Sequence, residues 1–446
     1  MRPEPEAVSS AMWRRVVRPL LDAGLLHPLP GEARYGLEDV TVIVPVRDRW
    51  EALYVLLPSL SDVARVIVVD DGSTDGSGDV AEALGATVVR RASAGGPALA
   101  RNAGLPLVRT PLVALIDSDM RIEPGWEEAL LPHFNDPTVA VVAPRVVGDV
   151  AERTDALARY EVARSAQDLG TDPGYVRPGN RASFLPAAFL VARTEALTEI
   201  GGFDPELIVG EDVDLVWRLG DAGWRVRYEP SSVVYHDARP SLPTFLRRRV
   251  DYGTSAAALH KRHPGKVAPT GISRWSAAVW GSALLGQPGI AALIGGLSTV
   301  RLASSLKGQV HDRWPAARLI AGRGYVGTAR LLASAVTRTW LPLAALSMWR
   351  IPNTRPALAA ALLVPPAVDW LERQPPIGAA AYTALHLADD AAYCAGVWLG
   401  CARERTLGPL LPRLYQQAPI LPGAGDPASP PTTEGPDATT TGRDSE

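Results

Sequence analysis

Between Val40 and Ile116, four apolar runs rich in β-branched residues alternate with stretches of helical character. The runs are Val40–Val46, Ala64–Val69, Ala86–Val89 and Pro111–Ile116, with helical stretches at 50–60, 78–84 and 97–104 between them. Strands that are apolar on nearly every residue need cover on both faces, and intervening helices supply it. The pattern therefore predicts a parallel sheet between two helical layers. Further strands near Val139–Val147 and Phe184–Ala192 extend it, so residues 40–265 read as one α/β domain.

Composition allows this. The 446 residues are 47% hydrophobic and 21% charged, enough for a sizeable core and unlike a disordered or collagen-like chain. The net charge of −3 gives no general basic surplus for nucleic acid. Two cysteines, Cys394 and Cys401, make neither a zinc quartet nor a disulfide framework and fit a reducing compartment. Met1–Ser10 holds Pro and Glu without an apolar core, so no secretory signal is expected.

The flanks differ. Residues 1–39 form a short lead, with a helix expected over Trp13–Leu26 and a kink at Pro19. Trp275–Val300 has no charged residue and exceeds the ~20 residues that cross a bilayer, though Pro288 and five glycines dilute it. Thr339–Trp349 and Ala357–Val368 are too short to span. Ala379–Ala402 carries His386, Asp389 and Asp390, which count against a lipid-exposed span. Residues 266–418 thus read as helical, either a buried subdomain or a membrane-seated region. Residues 419–446, rich in Pro, Thr, Gly and Asp, read as a disordered tail.

Three polar clusters follow apolar runs directly: Arg47-Asp48, Asp70-Asp71-Gly72-Ser73 and Asp117-Ser118-Asp119. Ligands bind beyond the carboxyl ends of the strands in open parallel sheets, so the three belong at one edge. Asp117 and Asp119, two apart at a strand end, point the same way and repel unless a cation or a proton intervenes. Hard oxygen ligands of this kind suit Mg²⁺ or Mn²⁺ bridging to substrate phosphates. No Gly-x-x-x-x-Gly-Lys occurs, nor a Gly-x-Gly-x-x-Gly after the first strand, which removes a P-loop and speaks against a dinucleotide site. Gly210-Glu211-Asp212-Val213-Asp214 opens a helix just after a Gly201–Pro205 turn; its acids are either cap and dipole partners or a general base for a hydroxyl. His236 ends a strand and is either a metal ligand or a surface histidine. Arg247-Arg248-Arg249 is either a solvated face or a diphosphate clamp.

The ordered set Val44-Pro45-Val46, Val69 to Asp75, Ala100-Arg101-Asn102, Asp117-Ser118-Asp119, Gly201-Gly202-Phe203-Asp204, Glu211-Asp212 and Arg247 to Gly253 resembles the family 2 inverting glycosyltransferases of GT-A fold over roughly 40–260. More narrowly, Leu20 to Leu25, Val44 to Arg49 and Leu185-Pro186-Ala187-Ala188-Phe189 resemble the glycosyltransferases of mycofactocin systems, which add β-linked glucose to a peptide-derived redox cofactor. The resemblance implies a Rossmann-like nucleotide-sugar-binding domain followed by a mostly helical apolar region. It implies UDP-glucose as donor, with Pro45, Arg47, Asp71 and Arg101 around the nucleotide and Asp117 on the ribose or on metal-bound water. Asp119 and His236 would hold Mg²⁺ or Mn²⁺. Asp212 would be the base, with Glu211 beside it, and Arg248, Arg249 and Tyr252 would steady the leaving diphosphate. With the reducing compartment read from the cysteines, the expectation is a cytoplasmic catalytic domain, either free of the membrane or attached to its inner face.

Three other readings compete. One keeps the chemistry but changes the acceptor to a polyprenyl-linked sugar of the cell envelope, which the apolar C-terminal third favours. A sugar-phosphate nucleotidyltransferase would want a glycine-rich loop after the first strand, where Arg47-Asp48-Arg49-Trp50 stands. A non-catalytic sugar-nucleotide-binding protein would have no need of both Asp119 and Asp212.

Overall fold

The computed structural model describes residues 20–21, 26–149, 154–180, 182–237, 241–308 and 310–415. The tail from Pro419 lies outside them, as does most of the helix expected over Trp13–Leu26, of which Leu20 and Leu21 are helical.

The first half follows the sequence pattern closely. Strand β1 (Val40–Val46) leads to α1 (Trp50–Leu56), β2 (Arg65–Asp70), α2 (Ser77–Ala83), β3 (Thr87–Arg90), α3 (Pro97–Gly104) and β4 (Leu112–Ile116). These four strands pair in parallel in the order β3-β2-β1-β4. Side chains alternate across the sheet. Val42, Val44 and Val68 enter a core on one face, while Ile43, Ile67 and Val69 enter a second core on the other. The expected cover on both faces is therefore present.

The second half corrects the expectation of a parallel sheet. β5 (Met120–Ile122), α4 (Trp126–Leu130), β6 (Val139–Asp149), α5 (Ala156–Ala163), β7 (Gly174–Tyr175), β8 (Phe189–Arg193), α6 (Thr194–Glu199), α7 (Glu211–Asp221), β9 (Arg225–Asp237) and α8 (Leu242–Arg262) follow. The sheet continues β4-β8-β6-β9-β5, with β8 antiparallel to both β4 and β6, and β5 antiparallel to β9. β8 is also shorter than the Phe184–Ala192 run, beginning only at Phe189. Pro186 has no N–H to give a ladder, and the Ala188 carbonyl instead receives the Asp117 N–H at 2.9 Å. Residues 184–188 thus border the site rather than the sheet.

Beyond 266 come β10 (Gly271–Ser273), α9 (Arg274–Leu284), α10 (Pro288–Ser305), α11 (Arg313–Arg338), α12 (Leu341–Arg350), α13 (Arg355–Arg373), α14 (Ala379–Arg403) and β11 (Arg413–Tyr415), which pairs with β10. The uncharged run Trp275–Val300 is not one helix: α9 stops at Leu284, Gly286 takes a positive φ of 75°, and α10 starts at Pro288. Among the described residues no single helix is long and apolar enough to cross a bilayer; the pair α11–α12, bent by 94°, passes by length and composition alone.

Helix α14 lies directly on α8. A β-carbon on Gly253 would sit 2.2 Å from the Tyr393 carbonyl oxygen, and one on Gly396 would sit 2.0 Å from that of Val250, so only glycine permits the approach. His386, Asp389 and Asp390 of α14 are all buried, Asp389 against Arg249 of α8 and Asp390 against α11. Asp390 accepts from Thr337 at 2.6 Å and Arg338 at 3.2 Å. Burial opposes its charge, but His386 and the arginines outweigh burial and hold its carboxyl below the usual range. Both cysteines are buried free thiols.

Candidate active site

Because β1, β2 and β4 run parallel, their carboxyl ends bring the three predicted clusters to one edge. Asp48 takes a left-handed φ of 50° after β1 and accepts the Thr74 N–H at 2.8 Å, which ties the loops after β1 and β2 together. Pro45 lies within β1, and Arg47 projects into solvent, 3.8 Å from Asp48. Asp71 is buried. Its carboxylate accepts the Gly96 N–H at 2.8 Å and the Gly95 N–H at 3.0 Å, and pairs with Arg91, a residue without a role in the sequence reading.

Arg101 and Asn102 of α3 organise the centre. The buried Arg101 guanidinium donates to Asp117 at 2.6 Å, Glu211 at 3.3 Å and the Ala187 carbonyl at 3.1 Å, and its Cζ lies 5.2 Å from the Phe203 ring centroid. Asn102 accepts the Phe203 N–H at 2.9 Å and donates to its carbonyl at 2.7 Å. These two neighbours fix the Gly201–Pro205 turn and, through it, the start of α7. Arg101 thus ties Asp117 to Glu211 while also lining the cavity that Glu211 and Asp212 border.

At α7 the acids divide. Asp214 points inward, fully buried, and receives bonds from Arg218 at 2.6 Å and Arg262 at 2.9 Å, with His263 at 2.9 Å. Glu211 and Asp212 instead line a cavity of about 1630 Å³, along with Arg101, Asp117, Arg248 and Tyr252. Asp212 accepts its neighbour's N–H, that of Val213, at 2.8 Å. Burial, and next the Glu211 carboxylate, push the Asp212 carboxyl up to about 7. A carboxylate poised near neutrality on a cavity wall can take a proton from a hydroxyl.

Asp119 and His236 meet because β5 pairs with β9, which sets Met120 opposite His236. The imidazole Nε2 lies 3.5 Å from Asp119 Oδ1, and Arg49, another residue without an assigned role in the sequence reading, holds Asp119 Oδ2 at 2.9 Å. An oxygen and an imidazole nitrogen so placed fit Mg²⁺ or Mn²⁺ whose remaining ligands come from a diphosphate. Among the described residues no cluster of three or more His, Cys, Asp or Glu side chains could hold a metal without such help. A smaller cleft sets His236 beside Arg248, Arg249 and Tyr252. Arg248 stacks on Tyr252 with its Cζ 4.9 Å from the ring centroid. Arg249 is buried and its Nε is bonded to Asp389 of α14, so the helical region reaches the site. Pro45, Arg47, Asp71, Asp119 and His236 lie outside the wall of the large cavity.

A mixed sheet with acids gathered at one edge beside a helix start is the arrangement expected of a GT-A fold. Residues 41–201 match the family model described as glycosyl transferase family 2. The pre-mycofactocin glycosyltransferase of Mycobacterium tuberculosis (strain ATCC 25618 / H37Rv) is 40% identical over 411 residues, covering 90% of this chain and 87% of the relative. The chain belongs to glycosyl transferase family 2. The succinoglycan biosynthesis protein ExoA of Rhizobium meliloti (strain 1021) is 29% identical over 259 residues, covering 52% of this chain and 78% of ExoA. Among solved structures, the mannosyltransferase PcManGT from Pyrobaculum calidifontis, in complex with GDP-Man and Mn²⁺, is 19% identical with a TM-score of 0.39, covering 78% of this chain and 94% of that one.

Proposed function

We propose that this glycosyltransferase moves glucose from UDP-glucose, with inversion, onto a hydroxyl of pre-mycofactocin or a product derived from it. The observation that carries the chemistry is Asp212, a carboxylate raised towards neutrality on the cavity wall beside the paired Arg101, Asp117 and Glu211. The acceptor rests on the 40% identity to the pre-mycofactocin enzyme across most of both chains.

Asp212 takes the proton of the acceptor hydroxyl as its oxygen attacks the anomeric carbon from the face opposite the leaving UDP. Glu211, held by Arg101, keeps the Asp212 carboxyl basic enough to accept it. Asp71, fixed by Gly95 and Gly96, offers a preformed acceptor edge to the base, with Pro45 and Arg47 beside the nucleotide. Asp117 faces the ribose. Asp119 and His236 would hold the divalent cation, which when bound draws off charge from the leaving diphosphate. Arg248, stacked on Tyr252, adds positive charge there, and Arg249 supports that wall from behind.

A lipid-linked acceptor is the second reading, favoured by the exposed apolar helices and by the cavity's contact with Leu331 of α11. Product mass separates the two. Purified protein, UDP-glucose, Mn²⁺ and pre-mycofactocin should yield hexose increments that Asp119→Ala abolishes. No increment on pre-mycofactocin, with UDP released only when polyprenyl-linked sugars are added, would transfer the reading to the lipid acceptor.

A further inference from the structure

Helices α10 to α12 carry an apolar surface that nothing among the described residues covers. On α10, Ile290, Leu293, Leu297 and Val300 are all exposed, Leu293 by 63%. Their spacing of three, four and three residues puts them on one helical face. On α12, Leu343, Leu346 and Trp349 repeat the arrangement, with Trp349 68% exposed. On α11, exposed Leu319 and Val326 share a face with exposed Arg323 and Arg330. Apolar stripes of this extent on a folded chain mark a contact surface.

Charge says what the contact is with. From Arg274 to Arg355 the chain has ten basic residues and one acid, Asp312, although its overall net charge is −3. Exposed Arg301, Lys307, Arg318, Arg323, Arg350 and Arg355 border the apolar stripes. Leucines and a tryptophan between arginines match a bilayer interface, where apolar side chains enter the acyl boundary and guanidinium groups meet lipid phosphates. Among the described residues no single helix is long and apolar enough to cross; the pair α11–α12, bent by 94°, passes by length and composition, but carries Arg318, Arg323, Arg330 and Arg338 along its first member. A second copy of this face would oppose one basic surface with another, which Coulomb repulsion disfavours.

We propose that α10 to α12 seat the protein on an anionic lipid surface, lying in the headgroup plane rather than crossing it. The proposal does not depend on the identity of donor or acceptor.

The test is sedimentation of the full chain with vesicles of phosphatidylglycerol mixed with phosphatidylcholine, and with phosphatidylcholine alone. The protein should pellet with the anionic vesicles, remain largely in solution with the neutral ones, and be substantially released near 1 M salt, where the screening length falls to about 3 Å. Arg318→Gln/Arg323→Gln should weaken anionic binding by about tenfold or more, and Leu293→Glu/Leu297→Glu should abolish it. All four residues are exposed, and unchanged circular dichroism would certify the fold. Wild-type protein left in solution with anionic vesicles would overturn the proposal, as would equal, salt-indifferent binding to both lipids. Undiminished binding of both double variants would overturn the choice of face. A dimer dissociated by Leu293→Glu/Leu297→Glu, without vesicle binding, would assign the surface to a second copy instead.

Discussion

Replacing Asp212 with Asn should remove transfer and, at the same time, stabilise the fold at alkaline pH. A carboxyl held at about 7 instead of 3.8 carries about 4 kcal/mol against its charged form. The sign follows from proton binding. Between the two values the folded chain keeps a proton that the unfolded chain has released, so stability falls as pH rises through that window. Above about 7 the full penalty applies, and below about 4 it vanishes. Asparagine removes the charge, but its amide turns a donor towards one of the backbone N–H groups of Val213 and Ala187 that favour the carboxylate, which reduces the gain. The net expectation is about 1–3 kcal/mol of added stability at pH 8 and little change at pH 4. Transfer should drop by about 10²–10⁴, the usual share of a general base. Urea unfolding of both proteins across pH, together with UDP release, measures both effects. An Asn variant no more stable than wild type at pH 8 would refute the electrostatic argument. One that transfers at a comparable rate would refute the assignment of the base.

Other changes probe other parts. Asp119→Ala should lower UDP release by about 100-fold or more and remove its dependence on added Mn²⁺, read by metal titration. Arg101→Met leaves Asp117 and Glu211 without their shared cation and should cost about 3–5 kcal/mol in denaturant unfolding. Gly396→Ala drives a methyl against the Val250 backbone, where no side chain can yield, and should cost at least about 1–3 kcal/mol; an unchanged melting profile would contradict the close helix contact.

The legible parts of this fold were local. β1 to β4 announce themselves because each is a continuous apolar run closed by polar residues, and their parallel pairing alone brings Arg47, Asp71 and Asp117 to one edge. The α7 start was legible because Gly210 precedes two acids and an apolar stripe. The direction of β8 was not, because apolar content does not distinguish parallel from antiparallel neighbours. Nor were the partners of Arg101 and Arg249. Arg101 looks like a free cation in sequence, and its tie to Glu211, 110 residues away, exists only once α7 is in place. Arg249 likewise finds Asp389 across 140 residues. The break in Trp275–Val300 had a written signal in Gly286-Gln287-Pro288, which marks a turn even inside an uncharged run.

The proposed reaction is a single displacement at the anomeric carbon, assisted by Asp212. Proton NMR of the first sugar added from α-linked UDP-glucose reads its outcome directly. A β-linked product is expected, with no α-anomer formed at any time. An α-linked product would mean two displacements or retention by another route, and would contradict the roles given to Asp212 and Glu211.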